Sequence, residues 1–202
     1  MTSNHQGERI VLASSNTGKV REINQLLSKN KIQVIPQNQF GIPDADETGL
    51  TFVENAIIKA RNAAQHSGLA AIADDSGIEV DFLKGAPGIR SARFASEACD
   101  DDENNRKLLA ALNGVPEPDR TARFQCLMVY MRHEEDPTPI ICQGTWEGSI
   151  LTTSQGENGF GYDPLFWVPD SACSSAQLEP SEKNRLSHRG QALRQLLRAL
   201  SA

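Results

Sequence analysis

The sequence predicts an α/β fold built on a mixed β-sheet. Strand and helix patterns alternate through the first 80 residues, as in the crossover units of parallel sheets. Further along, "RTARFQCLMVYMR" and "TPIICQGTWEGSIL" are two long strand patterns joined by the polar loop "HEEDP", which predicts an antiparallel hairpin. No long linker interrupts these elements, so residues 1–202 are expected to form a single domain, with residues 1–8 as a short polar N-terminal extension.

The first half of the chain begins with a strand near Arg9–Ala13 that leads through polar residues into a helix from about Gly18. A short strand, "QVIP", follows. The next helix, "TFVENAIIKARNAAQHSG", has clear ends. Thr51 with Glu54 three residues later forms a capping box, and Gly68 suits the C-terminal stop.

The second half begins with "LAAIA", which predicts a short buried strand. We expect it to break at "DDSG" and to resume as "IEVDF", which alternates with strand period. An acid-led helix is predicted for "CDDDENNRKLLAALNG" and a strand region for "FGYDPLFWV". The last element, "HRGQALRQLLRAL", places its leucines on one helical face.

Composition excludes several classes of protein. The net charge is −6, which disfavours bulk binding to nucleic acid or to an anionic membrane. No apolar run reaches membrane-spanning length, and "MTSNHQGER" lacks the apolar core of a secretory signal. The cysteines are scattered, without metal-binding spacing: Cys99, Cys126, Cys142 and Cys173. We therefore expect a soluble cytoplasmic protein that binds neither nucleic acid nor membrane.

The turn after the first strand, "SSNTGK", lies where a helix N-terminus favours anions. It is not a Walker-type loop, because Ala13 replaces the first glycine and Val20 replaces the Ser or Thr that holds magnesium. Two interpretations stay open. The turn binds phosphate, or it is an ordinary capped turn in which Lys19 is a solvated surface charge.

Two adjacent carboxylates, Asp74 and Asp75, follow a buried strand and are expected at a sheet edge or strand-end turn. Like charges side by side call for a compensating cation, so the pair indicates a magnesium site or, alternatively, a polar turn. Glu47 is a candidate third carboxylate. Lys59 lies beside the apolar stripe of its helix and either reaches water or neutralises phosphate.

Two later segments indicate a nucleoside site. "GENGFGYDP" surrounds Phe160 and Tyr162 with glycines, so these rings either stack on a base or fill the core. "EKNRLSHRG" concentrates hydrogen-bond donors in an acidic chain, as a surface patch or as a wall for carbonyl oxygens and phosphates: Lys183, Arg185, His188 and Arg189. Together the segments are typical of a metal-dependent enzyme that acts on a nucleotide.

The chain also resembles a known family over residues from about Ile10 to Leu200. "SSNTGK", "ETGLTFVENAIIKA", "IADDSG", "GAPGIRSARF", "GFGYDPLF" and "EKNRLSHRGQAL" look like the successive motifs of the non-standard purine nucleoside triphosphate pyrophosphatases, the inosine triphosphatase-like family. The sequence departs from the family pattern at Arg90, where an aromatic is common, and at Ser181, where an acidic residue is common.

The resemblance implies hydrolysis of ITP, dITP and XTP to the monophosphate and pyrophosphate, cleansing the nucleotide pool, with Mg²⁺ as cofactor. It also implies a homodimer and an elongated mixed sheet with two lobes around a central substrate cleft.

The resemblance carries roles to individual positions. Asp75 would be the general base, with Asp74 and Lys59 assisting, and Glu47 and Asp75 would bind magnesium. The phosphates would contact Ser14, Ser15, Asn16, Thr17, Gly18 and Lys19. The remaining substrate contacts would come from Ser76, Phe160, Gly161, Tyr162, Asp163, Lys183, His188 and Arg189.

Two other functions remain as alternatives. One is a related pyrophosphatase acting on pyrimidine or modified nucleotides. The other is a non-enzymatic nucleotide-binding or RNA-binding module, which the acidic net charge and the paired carboxylates disfavour.

Overall fold

The structure, a computed structural model, describes residues 9–27, 33–98 and 100–201. Residues 1–8, expected to form an N-terminal extension, and Cys99 lie outside this range. The helices are α1 (Thr17–Leu27), α2 (Phe52–Ser67), α3 (Asp101–Ala111), α4 (Pro180–Leu186) and α5 (His188–Leu200). The strands are β1 (Arg9–Ala13), β2 (Gln33–Pro36), β3 (Ala70–Val80), β4 (Thr121–Met131), β5 (Ile140–Ile150), β6 (Phe166–Val168) and β7 (Cys173–Ser174).

The strands form one mixed sheet in the order β2-β1-β3-β4-β5-β6-β7. β1 pairs in parallel with β2 and with β3, whereas β6 pairs antiparallel with β5 and with β7. The N–H of Ile150 donates to the carbonyl of Arg120 at 2.9 Å, so the end of β5 lies opposite the start of β4, as the predicted hairpin requires. The mixed α/β fold is therefore confirmed.

The predicted break at "DDSG" is wrong. β3 runs without interruption from Ala70 to Val80, and Asp74 and Asp75 lie inside it rather than at a strand end or a sheet edge. Both side chains are buried. A buried strand can hold two carboxylates only if cations offset the cost of removing them from water, and two lysines described below do so.

The predicted strand at "FGYDPLFWV" is mostly wrong, because only Phe166–Val168 is a strand. Asp163–Leu165 forms a 3₁₀ turn instead. Gly161 adopts a positive φ of 61° and Pro164 has no N–H to donate, so the backbone before Phe166 does not continue a ladder.

The predicted ends of α2 are confirmed. The N–H of Glu54 donates to Thr51 Oγ1 at 3.3 Å, and the N–H of Thr51 donates to Glu54 Oε2 at 2.9 Å, which completes a capping box. Gly68 closes the helix in the left-handed region, with its N–H bound to the carbonyl of Ala64.

The chain divides into two compact units. Unit 1 comprises Met1–Asp75, Leu127–Cys142 and Leu193–Ala202, and unit 2 comprises Ser76–Cys126 and Gln143–Ala192. In unit 2 the core is a cluster of aliphatic and aromatic residues drawn from β3, α3, β4, β5 and β6, and it includes Phe124, Trp146 and Phe166. Among the described residues, no helix is both long and apolar enough to cross a membrane.

Candidate active site

In unit 1, two lysines and three carboxylates form a compact group, here called the carboxylate–lysine cluster: Lys19, Glu47, Lys59, Asp74 and Asp75. Lys19 Nζ lies 2.9 Å from Asp74 Oδ1. Lys59 Nζ lies 2.6 Å from Asp75 Oδ1 and 3.1 Å from Glu47 Oε1. The structure therefore brings together all three carboxylates and both lysines that the sequence singled out in this half of the chain.

Three elements carry these side chains. Lys19 lies in the first turn of α1, which Asn16 caps by accepting a hydrogen bond from the Lys19 N–H at 3.0 Å. Lys59 projects from the middle of α2, one turn after the buried Asn55. Asn55 accepts a hydrogen bond from the N–H of Gly49 at 2.8 Å, which fixes the loop that carries Glu47.

The turn "SSNTGK" combines features of both interpretations. It is a capped turn, as the simpler interpretation required. Lys19, however, is not a solvated surface charge, because its side chain is only 15% exposed and pairs with Asp74. Ser15 donates to Asp44 Oδ2 at 3.1 Å, so a carboxylate also borders the turn.

Burial and charge act against each other in the cluster. Burial raises the pKa of Asp75 above its ordinary value, although the neighbouring lysines oppose the shift. Burial disfavours the charged form of Lys59, but the carboxylates outweigh it, Asp75 most strongly, and its pKa is raised. Lys59 is thus held as an ammonium beside a carboxylate whose proton affinity exceeds that of an ordinary aspartate.

The cluster offers carboxylate oxygens, which are ligand atoms that a hard divalent cation prefers. Among the described residues, no group of three or more carboxylate, imidazole or thiol side chains is arranged to hold a metal ion. Mg²⁺ needs fewer, because it binds through one or two carboxylates together with waters and substrate phosphates. Glu47 and Asp75 already converge on one cation, the Lys59 ammonium, and the buried Asp75 Oδ2 has no hydrogen-bond partner among the described residues. These residues fit the ion.

In unit 2, the buried Asp163 is the centre of a second polar group. Its Oδ2 lies 2.6 Å from Lys183 Nζ and accepts a hydrogen bond from the N–H of Phe160 at 2.8 Å. Its Oδ1 accepts a hydrogen bond from Ser175 Oγ at 2.8 Å. A Cβ on Gly159 would lie 2.1 Å from Asp163 Oδ2, so a glycine is required where the loop closes over this carboxylate.

Phe160 lies beside two cations. Lys183 Nζ is 5.0 Å from the centre of its ring, and Arg189 Cζ is 5.7 Å away. Arg189 also donates to Ser76 Oγ at 2.9 Å. The structure therefore brings Ser76, Phe160, Asp163, Lys183 and Arg189 together in unit 2.

His188 and Tyr162 belong to the interior. The His188 imidazole stacks on Phe124 with 4.7 Å between ring centres and an 11° angle between planes. Tyr162 is buried in the core and donates to the carbonyl of Ser91 at 2.8 Å. Burial raises the pKa of Tyr162, so its phenol stays protonated. For Tyr162 the core-filling interpretation is confirmed.

Arg185, grouped with these donors from the sequence, lies in different surroundings. Its side chain is 66% exposed and pairs with Glu182 three residues earlier on α4, with Nη2 2.6 Å from Oε1. It is a surface ion pair.

Comparison with known proteins decides the family. The model of the Ham1 family matches residues 10–199. This chain belongs to the Ham1 family. It is 63% identical over 195 residues to a dITP/XTP pyrophosphatase of Vibrio parahaemolyticus, covering 96% of this chain and 98% of that protein. It is 59% identical to a dITP/XTP pyrophosphatase of Vibrio cholerae, covering 96% of each.

Solved structures of Ham1 proteins agree in fold. A HAM1 protein from Coxiella burnetii is 50% identical, with a TM-score of 0.89 and coverage of 96% of this chain and 98% of that one. A nucleoside-triphosphatase / dITP/XTP pyrophosphatase from Mycobacterium abscessus is 38% identical, with a TM-score of 0.73 and coverage of 94% and 98%. The family resemblance inferred from the six motifs is confirmed.

Several residues that touch the site in this Ham1 family chain were not singled out from the sequence. Phe124 stacks on His188, Ser175 binds Asp163, and Asp101 and Asn105 bind the loop around Gly161. Each lies at least 12 residues from its partner, so no local spacing reveals the contact. For Asn105 the sequence did contain a signal. Asn104 and Asn105 are adjacent inside a helix, where asparagine is unfavourable unless its side chain is hydrogen-bonded.

Proposed function

We propose that this chain hydrolyses non-standard purine nucleoside triphosphates, namely dITP, XTP and ITP, to the nucleoside monophosphate and pyrophosphate. The observation that carries the proposal is the buried Asp75 carboxylate, with a raised pKa, beside the Lys59 ammonium in a chain of the Ham1 family. The names of its relatives support the substrate class. Such an activity removes aberrant purines from the nucleotide pool.

Asp75 is the proposed general base. A carboxylate with a raised pKa takes a proton from water more readily than an ordinary aspartate does. The water oxygen forms a bond to the α-phosphorus, the bond from that phosphorus to the bridging oxygen breaks, and pyrophosphate leaves with the electron pair. Lys59 and Lys19 offset the phosphate charge, and the turn from Ser14 to Lys19 offers backbone and side-chain donors.

Magnesium is the proposed cofactor, held by Glu47 and Asp75. When bound, it supplies positive charge to the phosphate oxygens and orients them. Asp74 is the third carboxylate, and its contact with Lys19 keeps that lysine inside the cluster.

In unit 2, Ser76, Lys183, His188 and Arg189 are proposed to contact the nucleoside together with the loop from Phe160 to Asp163. Donors on Lys183 and Arg189 suit the 6-keto oxygen of hypoxanthine and xanthine. Asp163 holds the Lys183 ammonium, so the lysine is presented in one orientation.

A homodimer and a cytoplasmic location complete the proposal. The dimer rests on the family resemblance, and light scattering should give a mass twice that of one chain. The described cysteines, Cys126, Cys142 and Cys173, form no disulfide, which supports a reducing compartment.

The test is pyrophosphate release over a panel of purine and pyrimidine nucleoside triphosphates with Mg²⁺, with the products separated by chromatography. We expect monophosphate and pyrophosphate from dITP, XTP and ITP, with slow turnover of ATP, GTP, CTP and UTP. Orthophosphate and a diphosphate as main products would contradict the proposal. Faster turnover of a pyrimidine or modified nucleotide would favour the related pyrophosphatase instead.

A further inference from the structure

Helix α3 holds both backbone polar groups of Gly161, the middle residue of the loop from Gly159 to Asp163. The Gly161 N–H donates to Asp101 Oδ2 at 2.7 Å. The Gly161 carbonyl accepts a hydrogen bond from Asn105 Nδ2 at 2.9 Å. None of the nucleoside contacts proposed above lies on α3, so the helix acts on the loop from outside.

The spacing of the two side chains along α3 allows both of them to reach Gly161. Asp101 and Asn105 are four residues apart and therefore lie on one face of α3. The start of the helix is fixed, because Asp100 caps it by accepting a hydrogen bond from the N–H of Glu103 at 2.8 Å. The two groups thus reach Gly161 from a rigid support.

Asn105 is the buried member of this pair, whereas Asp101 is exposed. A buried amide such as that of Asn105 is costly unless it is hydrogen-bonded. The Nδ2 atom bonds to Gly161, and the buried Oδ1 has no hydrogen-bond partner among the described residues. The neighbouring Asn104 turns to a different segment, where it binds the carbonyl of Ala92 and the N–H of Ala95.

Packing around the Cα of Gly161 does little to hold this residue in place. It lies in the left-handed region at φ 61°, and a Cβ there would have no atom within 4 Å. The loop is thus not wedged in place by packing at this residue. The residue before it, Phe160, carries the ring that lies beside Lys183 and Arg189.

From this geometry we infer that Asp101 and Asn105 are positioning residues for substrate selection. They fix Gly161, and Gly161 fixes the place of the Phe160 ring and of the backbone that leads into Asp163. The inference rests on the proposed function, because it assigns the support of the proposed nucleoside-binding loop to α3.

The experiment measures kcat and KM for dITP and dATP on the full chain with Asp101→Ala or Asn105→Leu. Each change removes one hydrogen bond to Gly161, and we expect KM for dITP to rise about three- to tenfold with kcat within about twofold. The ratio of kcat/KM for dITP to that for dATP should fall by a similar factor. Asp101→Asn keeps an acceptor oxygen and should restore most of the lost affinity.

Asp102→Ala is the matched control. Asp102 is an exposed aspartate in the same helical turn, so this variant loses the same charge without a contact to Gly161. Thermal denaturation of every variant shows whether it is folded, and exchange of the Gly161 amide, followed by nuclear magnetic resonance, shows whether the hydrogen bond that this amide donates to Asp101 is lost.

The outcomes separate this inference from the proposed function. Activity of the unaltered chain on dITP tests the function, and its absence overturns both. If the unaltered chain is active and Asp101→Ala and Asn105→Leu behave like Asp102→Ala, only the positioning role is overturned. Faster exchange of the Gly161 amide with an unchanged KM also overturns the positioning role alone, because the contact would then be purely structural.

Discussion

Asp75 combines an ion pair with burial. Its Oδ1 is engaged by the Lys59 ammonium at 2.6 Å, while burial raises its pKa. The lysine keeps a charged carboxylate tolerable inside the sheet, and the desolvation makes that carboxylate a better base. Both properties suit the proposed role of Asp75, which is to accept a proton from water.

We expect Asp75→Asn to reduce turnover of dITP by at least about a hundredfold, because the amide cannot act as a base. The shape of the side chain is kept, so the variant should fold. Circular dichroism checks the fold and pyrophosphate release measures turnover. Asp170→Asn, at an exposed position, is the control for the same chemical change. Near-normal turnover of Asp75→Asn would remove this residue from the role of base.

The donors of unit 2 give a second prediction. A donor that pairs with the 6-keto oxygen of hypoxanthine faces the 6-amino donor of adenine, and a buried unpaired group costs about 1–3 kcal/mol. We therefore expect Arg189→Ala and His188→Ala to lower kcat/KM for ITP about ten- to a hundredfold and for ATP much less.

Both substrates are measured on each variant. Arg185→Ala serves as the control, because Arg185 is an exposed cation that pairs with Glu182 on α4. An equal loss for ITP and ATP in both variants would mean that these residues hold phosphate or structure rather than read the base. His188 carries the greater risk of a structural effect, since its ring stacks on Phe124.

Residue types could be predicted from the sequence at these positions, but their pairings could not. Lys183 and Asp163 were both candidates for the nucleoside site, yet their mutual contact spans 20 residues of chain and follows no local spacing. Asp101 was predictable only as part of an acid-led helix. Such contacts depend on the path of the whole chain, which local patterns do not specify.

At the scale of elements, the features with a local chemical cause were predictable. Thr51, Glu54 and Gly68 mark the ends of α2 because capping depends on residues a few positions apart. The continuation of β3 through Asp74 and Asp75 could not be predicted, because these two residues resemble a turn when they are considered alone. Lys19 and Lys59, which make them compatible with a central strand, come from α1 and α2.

Gly144 on β5 supports a prediction at this scale. A Cβ at this position would lie 2.0 Å from the carbonyl oxygen of His188 and 2.9 Å from the N atom of Ala192. Both are backbone atoms of α5, so they cannot turn away as a flexible side chain could. Gly144→Ala must push the start of α5, which carries His188 and Arg189, away from the strand.

We expect Gly144→Ala to destabilise the protein by about 1–3 kcal/mol, as overpacking does, and to lower the melting temperature by about 3–10 °C. KM for dITP should rise at temperatures where the variant is folded. Gln143→Ala, at the exposed neighbouring residue, should leave both quantities nearly unchanged. A Gly144→Ala variant with unaltered melting temperature and KM would show that α5 does not depend on this close approach.

At the scale of the whole molecule, the relevant quantity is the distribution of charge. The chain has 20 lysine and arginine residues against 26 aspartate and glutamate residues, a net charge of −6. The cations proposed to contact substrate are largely removed from the surface: the side chains of Lys19 and Lys59 are 15% and 13% exposed, and Lys183 is buried. Positive charges that are buried in this way can act on a small ligand that binds beside them, whereas a long polyanion in solution has little access to them.

We therefore expect the protein to turn over free nucleoside triphosphates and not to bind polynucleotides. Non-specific binding to nucleic acid depends on many exposed cations that displace counterions from phosphates, and it typically has a Kd of about 10⁻⁴–10⁻⁶ M at physiological salt. Fluorescence polarisation with a labelled single-stranded RNA and a labelled duplex DNA, at about 0.15 M monovalent salt, should show no saturable binding below about 10⁻⁴ M. The same preparation must release pyrophosphate from dITP, which shows that it is folded and active. Micromolar binding that weakens steeply with added salt, together with no pyrophosphate release, would instead support the RNA-binding module and exclude the enzyme.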